Sequence, residues 1–157
     1  MKRNILSLLV LCALMACDNS DDNETKDMTY PKIKTEGIVA VPIDCDTYKR
    51  GDVIPFNYLF TDDVELGNYN IEIHQNFDHH SHSTTIVECE MDEKKDPVNP
   101  WRYEQDFYIP AGNQSFTARH DIAIPTDIDT GDYHFEIRVT DHVGWQQLHA
   151  VSIKITE

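Results

Sequence analysis

The sequence predicts an all-β fold, an antiparallel β-sandwich of seven to eight short strands. Three observations carry this. After residue 29 no segment sustains a helical period of apolar residues. Short runs of alternating apolar and polar residues recur instead, parted by Gly, Pro, Asn and Asp. The run 131–140 alternates strictly, with Tyr133, Phe135, Ile137 and Val139 on one face and His134, Glu136, Arg138 and Thr140 on the other.

The first segment is not part of that sandwich. Lys2 and Arg3 precede an apolar run over 5–16 of about a dozen residues, too short for a bilayer span of ~20. This is the layout of a secretory signal. The run ends Leu14-Met15-Ala16-Cys17, which resembles the bacterial lipobox, in which the cysteine is acylated and becomes the first mature residue. Residues 1–16 are therefore expected to be a lipoprotein signal peptide and Cys17 the lipid anchor, with no transmembrane helix. An ordinary cleaved signal with a chance cysteine is the alternative. Residues 17–30 form a lipidated acidic tether with too few apolar side chains to fold. An acidic run at that place resembles the surface-export signal of Bacteroidota lipoproteins, which implies the cell-surface side of the outer membrane rather than its periplasmic side. The folded domain is then 31–157.

Within it, 33–41 is a first strand, ended or placed at an edge by Pro42. The second is 53–61. Residues 62–68 form a turn containing Gly67, and 69–77 is the third strand, with Tyr69, Ile71 and Ile73 opposed to Asn70, Glu72 and His74. A histidine-rich loop follows. Then come 85–91, a charged proline-marked connection over 92–100, and strands over 101–109 and 115–124 separated by a turn at 111–114. After 131–140, residues 141–145 turn a hairpin and 146–156 closes the chain with Val151, Ile153 and Ile155 in phase.

Asp129-Thr130-Gly131-Asp132-Tyr133 looks like the D-x-G-x-Y tyrosine corner of immunoglobulin-like domains. Two residues on, where antibody domains carry cysteine, stands Phe135, so packing must hold the sheets together without that disulfide. Together with Cys17 and the histidine-rich loop, the runs 121–125 (DIAIP), 131–135 (GDYHF) and 139–145 (VTDHVGW) resemble the Bacteroidota lipoproteins grouped as domain of unknown function 4625. The resemblance spans most of the mature chain. It implies an immunoglobulin-like fold and supplies no activity.

The chemistry concentrates in histidines. Residues 73–83 hold His74, His79, His80 and His82, four of the chain's eight. Neutral imidazole is the commonest protein ligand for transition metals. The plain alternative is a solvated polar loop, and no zinc-finger spacing is present. In an immunoglobulin-like topology the strand 69–77 pairs antiparallel with 131–140. His74 and His134 then point outward on one face at one end, about 5 Å apart at Cβ. His120 precedes a connection returning to that end, with Asp78, Asp132 and Glu136 nearby. The candidate metal ligands are therefore His74, His79, His80, His82, His120 and His134, and the metal Zn or another divalent transition metal. They cannot all bind one four-coordinate ion, so some are spectators or more than one ion binds. His134 can equally be a solvated strand residue and His120 a hydrogen-bonded core residue. His142 and His149 are expected at the other end.

Cys45 and Cys89 remain once Cys12 and Cys17 are set aside. An exported pair forms a disulfide where the Cα atoms approach within ~7 Å, and otherwise two separate thiols. Asp44/Asp46 and Asp127/Asp129 offer oxygen donors for Ca²⁺, but turn chemistry explains them without an ion.

The formal net charge of −15 opposes nucleic-acid binding and attracts cations. HExxH, nucleophile-elbow and phosphate-loop motifs are lacking, so no enzyme is expected. The sequence thus points to a metal-binding envelope lipoprotein, partnered by the membrane through its lipid and by an unidentified envelope or metal-uptake protein. Two other readings stand beside it. One is a structural or adhesive module for a protein or glycan at the cell surface. The other is a pH-responsive surface of clustered imidazoles.

Overall fold

The computed structural model describes residues 26–82 and 87–157. The expected signal peptide, Cys17 and the tether up to residue 25 lie outside the described residues.

Eight strands are formed: β1 (Lys32–Lys34), β2 (Asp46–Lys49), β3 (Val53–Thr61), β4 (Leu66–Gln75), β5 (Tyr103–Tyr108), β6 (Ser115–Ala123), β7 (Gly131–Asp141) and β8 (Gln146–Thr156). No helix occurs among the described residues. The strands make two open sheets, β1-β3-β6 and β2-β8-β7-β4-β5, not a closed barrel. All neighbours are antiparallel except β2, which runs parallel to β8. That one pair departs from the purely antiparallel expectation.

The period-2 pattern decides the layers. Phe56, Tyr58 and Phe60 of β3 face Tyr69, Ile71 and Ile73 of β4, Phe135, Ile137 and Val139 of β7, and Val151, Ile153 and Ile155 of β8 across one core. Burying each such side chain contributes about 1.5–3 kcal/mol. Phe135 stacks on Phe56 of the opposite sheet at 5.9 Å, so aromatic packing joins the sheets where antibody domains use a disulfide. Tyr133 donates a hydrogen bond to the Asp129 carbonyl at 2.7 Å and accepts one from Trp101 N at 3.3 Å. Burial pushes its pKa up to about 12, so the hydroxyl stays a donor.

Several boundaries differ from the sequence reading. The expected strand 33–41 is only β1, because a turn containing Gly37 at φ 78° breaks it and Val41 rejoins through a single bridge to Asn57. Gly67 lies inside β4, not in a turn. The register slips there, and a Cβ would come within 2.7 Å of the Asp141 carbonyl oxygen. Residues 87–91 of the expected strand 85–91 are irregular. Cys89 is bonded to Cys45 (Cα–Cα 5.3 Å), which draws this segment over the outer face of the five-stranded sheet. The short β2 was not expected at all.

Candidate metal centre

β4 and β7 present their polar residues on the outer face of the larger sheet. In register, His74 faces His134 and Glu72 faces Glu136. The next positions across, on β8, are Ser152 beside His134 and Ala150 beside Glu136. These small side chains leave room above the ladder.

Residues 77–82 and 87–92 fill that room. They are tied down by Asp92 N, which donates to Asp132 Oδ2 at 2.7 Å. Lys154 pairs with Asp92 at 2.7 Å and Asp132 at 3.5 Å. Lys95 N donates to the Phe77 carbonyl at 3.2 Å. His79 takes a left-handed conformation, φ 60°, and its Nε2 donates to the Asp92 carbonyl at 3.0 Å. Turning there carries His80 and His82 back over the sheet.

The result is a block of four imidazoles. The rings of His74, His80, His82 and His134 lie with centroids 4.9–5.5 Å apart in every pairing. One ring nitrogen each of His74, His80 and His82 falls within a common 4.8 Å. Although on an outer face, His134 is only 2% exposed and His74 9%. Burial lowers the pKa of both; the charge of Glu72 opposes it at His74 and the bond to the His80 backbone opposes it at His134. Both rings are thus held neutral, the form that binds metals.

Carboxylates stand beside Nδ1 of three of these rings. The Nδ1 atom of His74 stands 3.3 Å from Glu72, that of His82 3.4 Å from Glu136, and that of His80 bonds Asp78. The first two contacts are close in distance but lack hydrogen-bond geometry, since His74 Nδ1 and Glu136 Oε1 have no such partner among the described residues. A carboxylate beside Nδ1 favours the proton there and leaves Nε2 as the lone-pair nitrogen, the carboxylate–histidine arrangement of metal sites. His134 is the reverse. Its Nε2 donates to the His80 carbonyl at 3.0 Å, so Nδ1 carries the lone pair, buried and unpartnered among the described residues. Glu136, 6% exposed, also leaves Oε1 without a hydrogen bond among them.

Two of the six histidines expected here stand elsewhere. His79 is spent on the Asp92 carbonyl. His120 lies on β6 in the other sheet, bonded to the Tyr69 hydroxyl and stacked on Phe107 at 4.1 Å. It is the hydrogen-bonded, partly buried histidine that the apolar phase of its strand allowed. His142 sits at the far hairpin as expected. His149 lies in the half of β8 nearer that hairpin, facing Tyr58 at 5.7 Å. Glu72, not among the named candidates, was findable two positions before His74 on the same strand face.

The fold and site define a two-sheet β protein carrying a histidine cluster under a covering loop. The chain belongs to the family described as Domain of unknown function (DUF4625), whose model matches residues 15–156. No curated protein matches it.

Proposed function

We propose that this protein is a cell-envelope lipoprotein whose immunoglobulin-like domain binds a divalent transition metal, with Zn²⁺ the first choice. His74, His80 and His82 supply the ligands. His134 holds His80 through its carbonyl and offers its own Nδ1. The observation that carries this reading is the convergence of three histidine nitrogens within 4.8 Å, each backed by a carboxylate. Imidazole donors suit Zn²⁺, Cu²⁺ and Ni²⁺.

The order of the sheets and the Tyr133–Asp129 bond support an immunoglobulin-like assignment. The lipobox-like end of the leader and the acidic run after Cys17 support anchoring at the outer membrane surface of a Bacteroidota-type cell. With no catalytic motif in the chain, the role is capture or buffering of metal, not catalysis.

Calorimetry with Zn²⁺, Cu²⁺ and Ni²⁺ tests the site. Saturable binding by the wild type, lost in a His74→Ala, His134→Ala double variant, supports it. Absence of saturable binding, or equal binding by the variant, refutes it.

A further inference from the structure

A second cluster lies at the other end of the molecule. Asp62 follows β3, Asp141 ends β7, and Asp27 belongs to the segment leading into β1. One carboxylate oxygen of each lies within a common 4.8 Å. Along β7, Asp141 stands seven residues beyond His134, about 23 Å at ordinary strand rise, so the two clusters cannot share an ion.

The three carboxylates divide their oxygens in the same way. The Oδ1 atom of Asp141 accepts from the backbone N–H groups of Val143, Gly144 and Trp145, at 2.9, 2.7 and 2.8 Å. That of Asp62 accepts from Val64 and Glu65, at 2.9 and 2.8 Å. That of Asp27 accepts from Thr29 N at 3.0 Å and its hydroxyl at 3.1 Å. Each Oδ1 is committed to shaping a turn. Each Oδ2 is buried without a hydrogen-bond partner among the described residues. Asp141 is 3% exposed and Asp27 7%.

Turn formation accounts for the Oδ1 atoms and leaves the Oδ2 atoms unexplained. Three buried carboxylates at this spacing repel one another. Among the described residues no Lys or Arg pairs with them, and His142 Nδ1 stands 3.9 Å from Asp27 Oδ2. A set of oxygens alone selects a hard cation.

We infer that Asp27, Asp62 and Asp141 bind a calcium ion through their Oδ2 atoms. The ion ties the end of the tether to the β3–β4 turn and the β7–β8 hairpin. Trp145 already fastens the same segment, donating from Nε1 to the Asp27 carbonyl at 3.2 Å and packing on Tyr30 at 4.8 Å. Calcium therefore stiffens the junction between tether and domain, and this site is independent of the histidine centre.

The test uses the whole chain, freed of divalent ions, titrated with CaCl₂ by calorimetry and with Tb³⁺ by luminescence sensitised through Trp145. Expected are saturable Ca²⁺ binding, Tb³⁺ emission displaced by Ca²⁺, and a loss of affinity of about tenfold or more in Asp27→Asn and in Asp62→Asn. Asp27 lies outside both sheets, so its variant retains the fold. The His74→Ala, His134→Ala variant should bind Ca²⁺ as the wild type does. No saturable response up to about 10 mM Ca²⁺, wild-type affinity in both aspartate variants, or loss of binding in the histidine variant would each overturn the proposal.

Discussion

His74 and His134 stand directly opposite each other across the β4–β7 ladder, their ring centroids 5.5 Å apart. Each belongs to a strand whose alternate residues fill the core. The backbone that carries each ring is therefore held by the sheet. The two loop histidines, by contrast, reach the site only because the segment bearing them is fastened.

The Cys45–Cys89 bond closes a span of 44 residues and pins the covering segment close to the site. Replacing both cysteines by serine should lower stability by about 4 kcal/mol in the chain-entropy model. It should also weaken metal binding, because His80 and His82 lose their fastening while His74 and His134 stay in place. Denaturant unfolding and calorimetry on the same variant measure both. Unchanged metal affinity would mean the disulfide plays no part in forming the site.

Acid should destabilise the metal-free protein in the histidine range. Burial lowers the pKa of His120, and of His149 despite the opposing charge of Asp44. His74 and His134 shift the same way. The unfolded chain then takes up protons first as pH falls below about 6.5, the ordinary histidine value. Stability from these groups is fully present above that value, declines as pH falls, and stops declining below their folded values. Denaturant midpoints in chelator at about pH 7.5 and about pH 5.5 compare stability above that value with stability after the decline has begun. A midpoint that holds or rises on acidification contradicts the account.

Tyr133→Phe removes the donor to the Asp129 carbonyl and the acceptor of Trp101 N. Leaving the buried Trp101 N–H unpaired costs about 1–3 kcal/mol, and the partly buried Asp129 carbonyl adds little. Urea unfolding should show a fall within that range with little change in slope. A neutral effect would mean this bond does not help set the start of β7.

How far the sequence disclosed this depended on the range of the contacts involved. The strands 53–61 and 146–156 were legible to the residue, because one buried face imposes strict alternation on each. The pairing of His74 with His134 followed from that alternation and an assumed sheet order. The covering segment was not legible. Its position comes from Cys89, Asp92 and Lys95, which act on partners far off in the chain, so its alternating look at 85–91 suggested a strand. His79 and His120 were misplaced for a related reason. Loop composition does not say which way a ring turns at a left-handed residue, and the other sheet claimed His120 through Tyr69 and Phe107. The Asp27, Asp62 and Asp141 cluster has no local spacing at all.

X-ray absorption at the zinc edge of the loaded protein addresses the site most directly. Expected is a nitrogen shell with imidazole scattering from the three converging histidines, reduced in His74→Ala and disordered in His134→Ala. A shell of oxygens alone, or an imidazole shell unaltered by both substitutions, would contradict it.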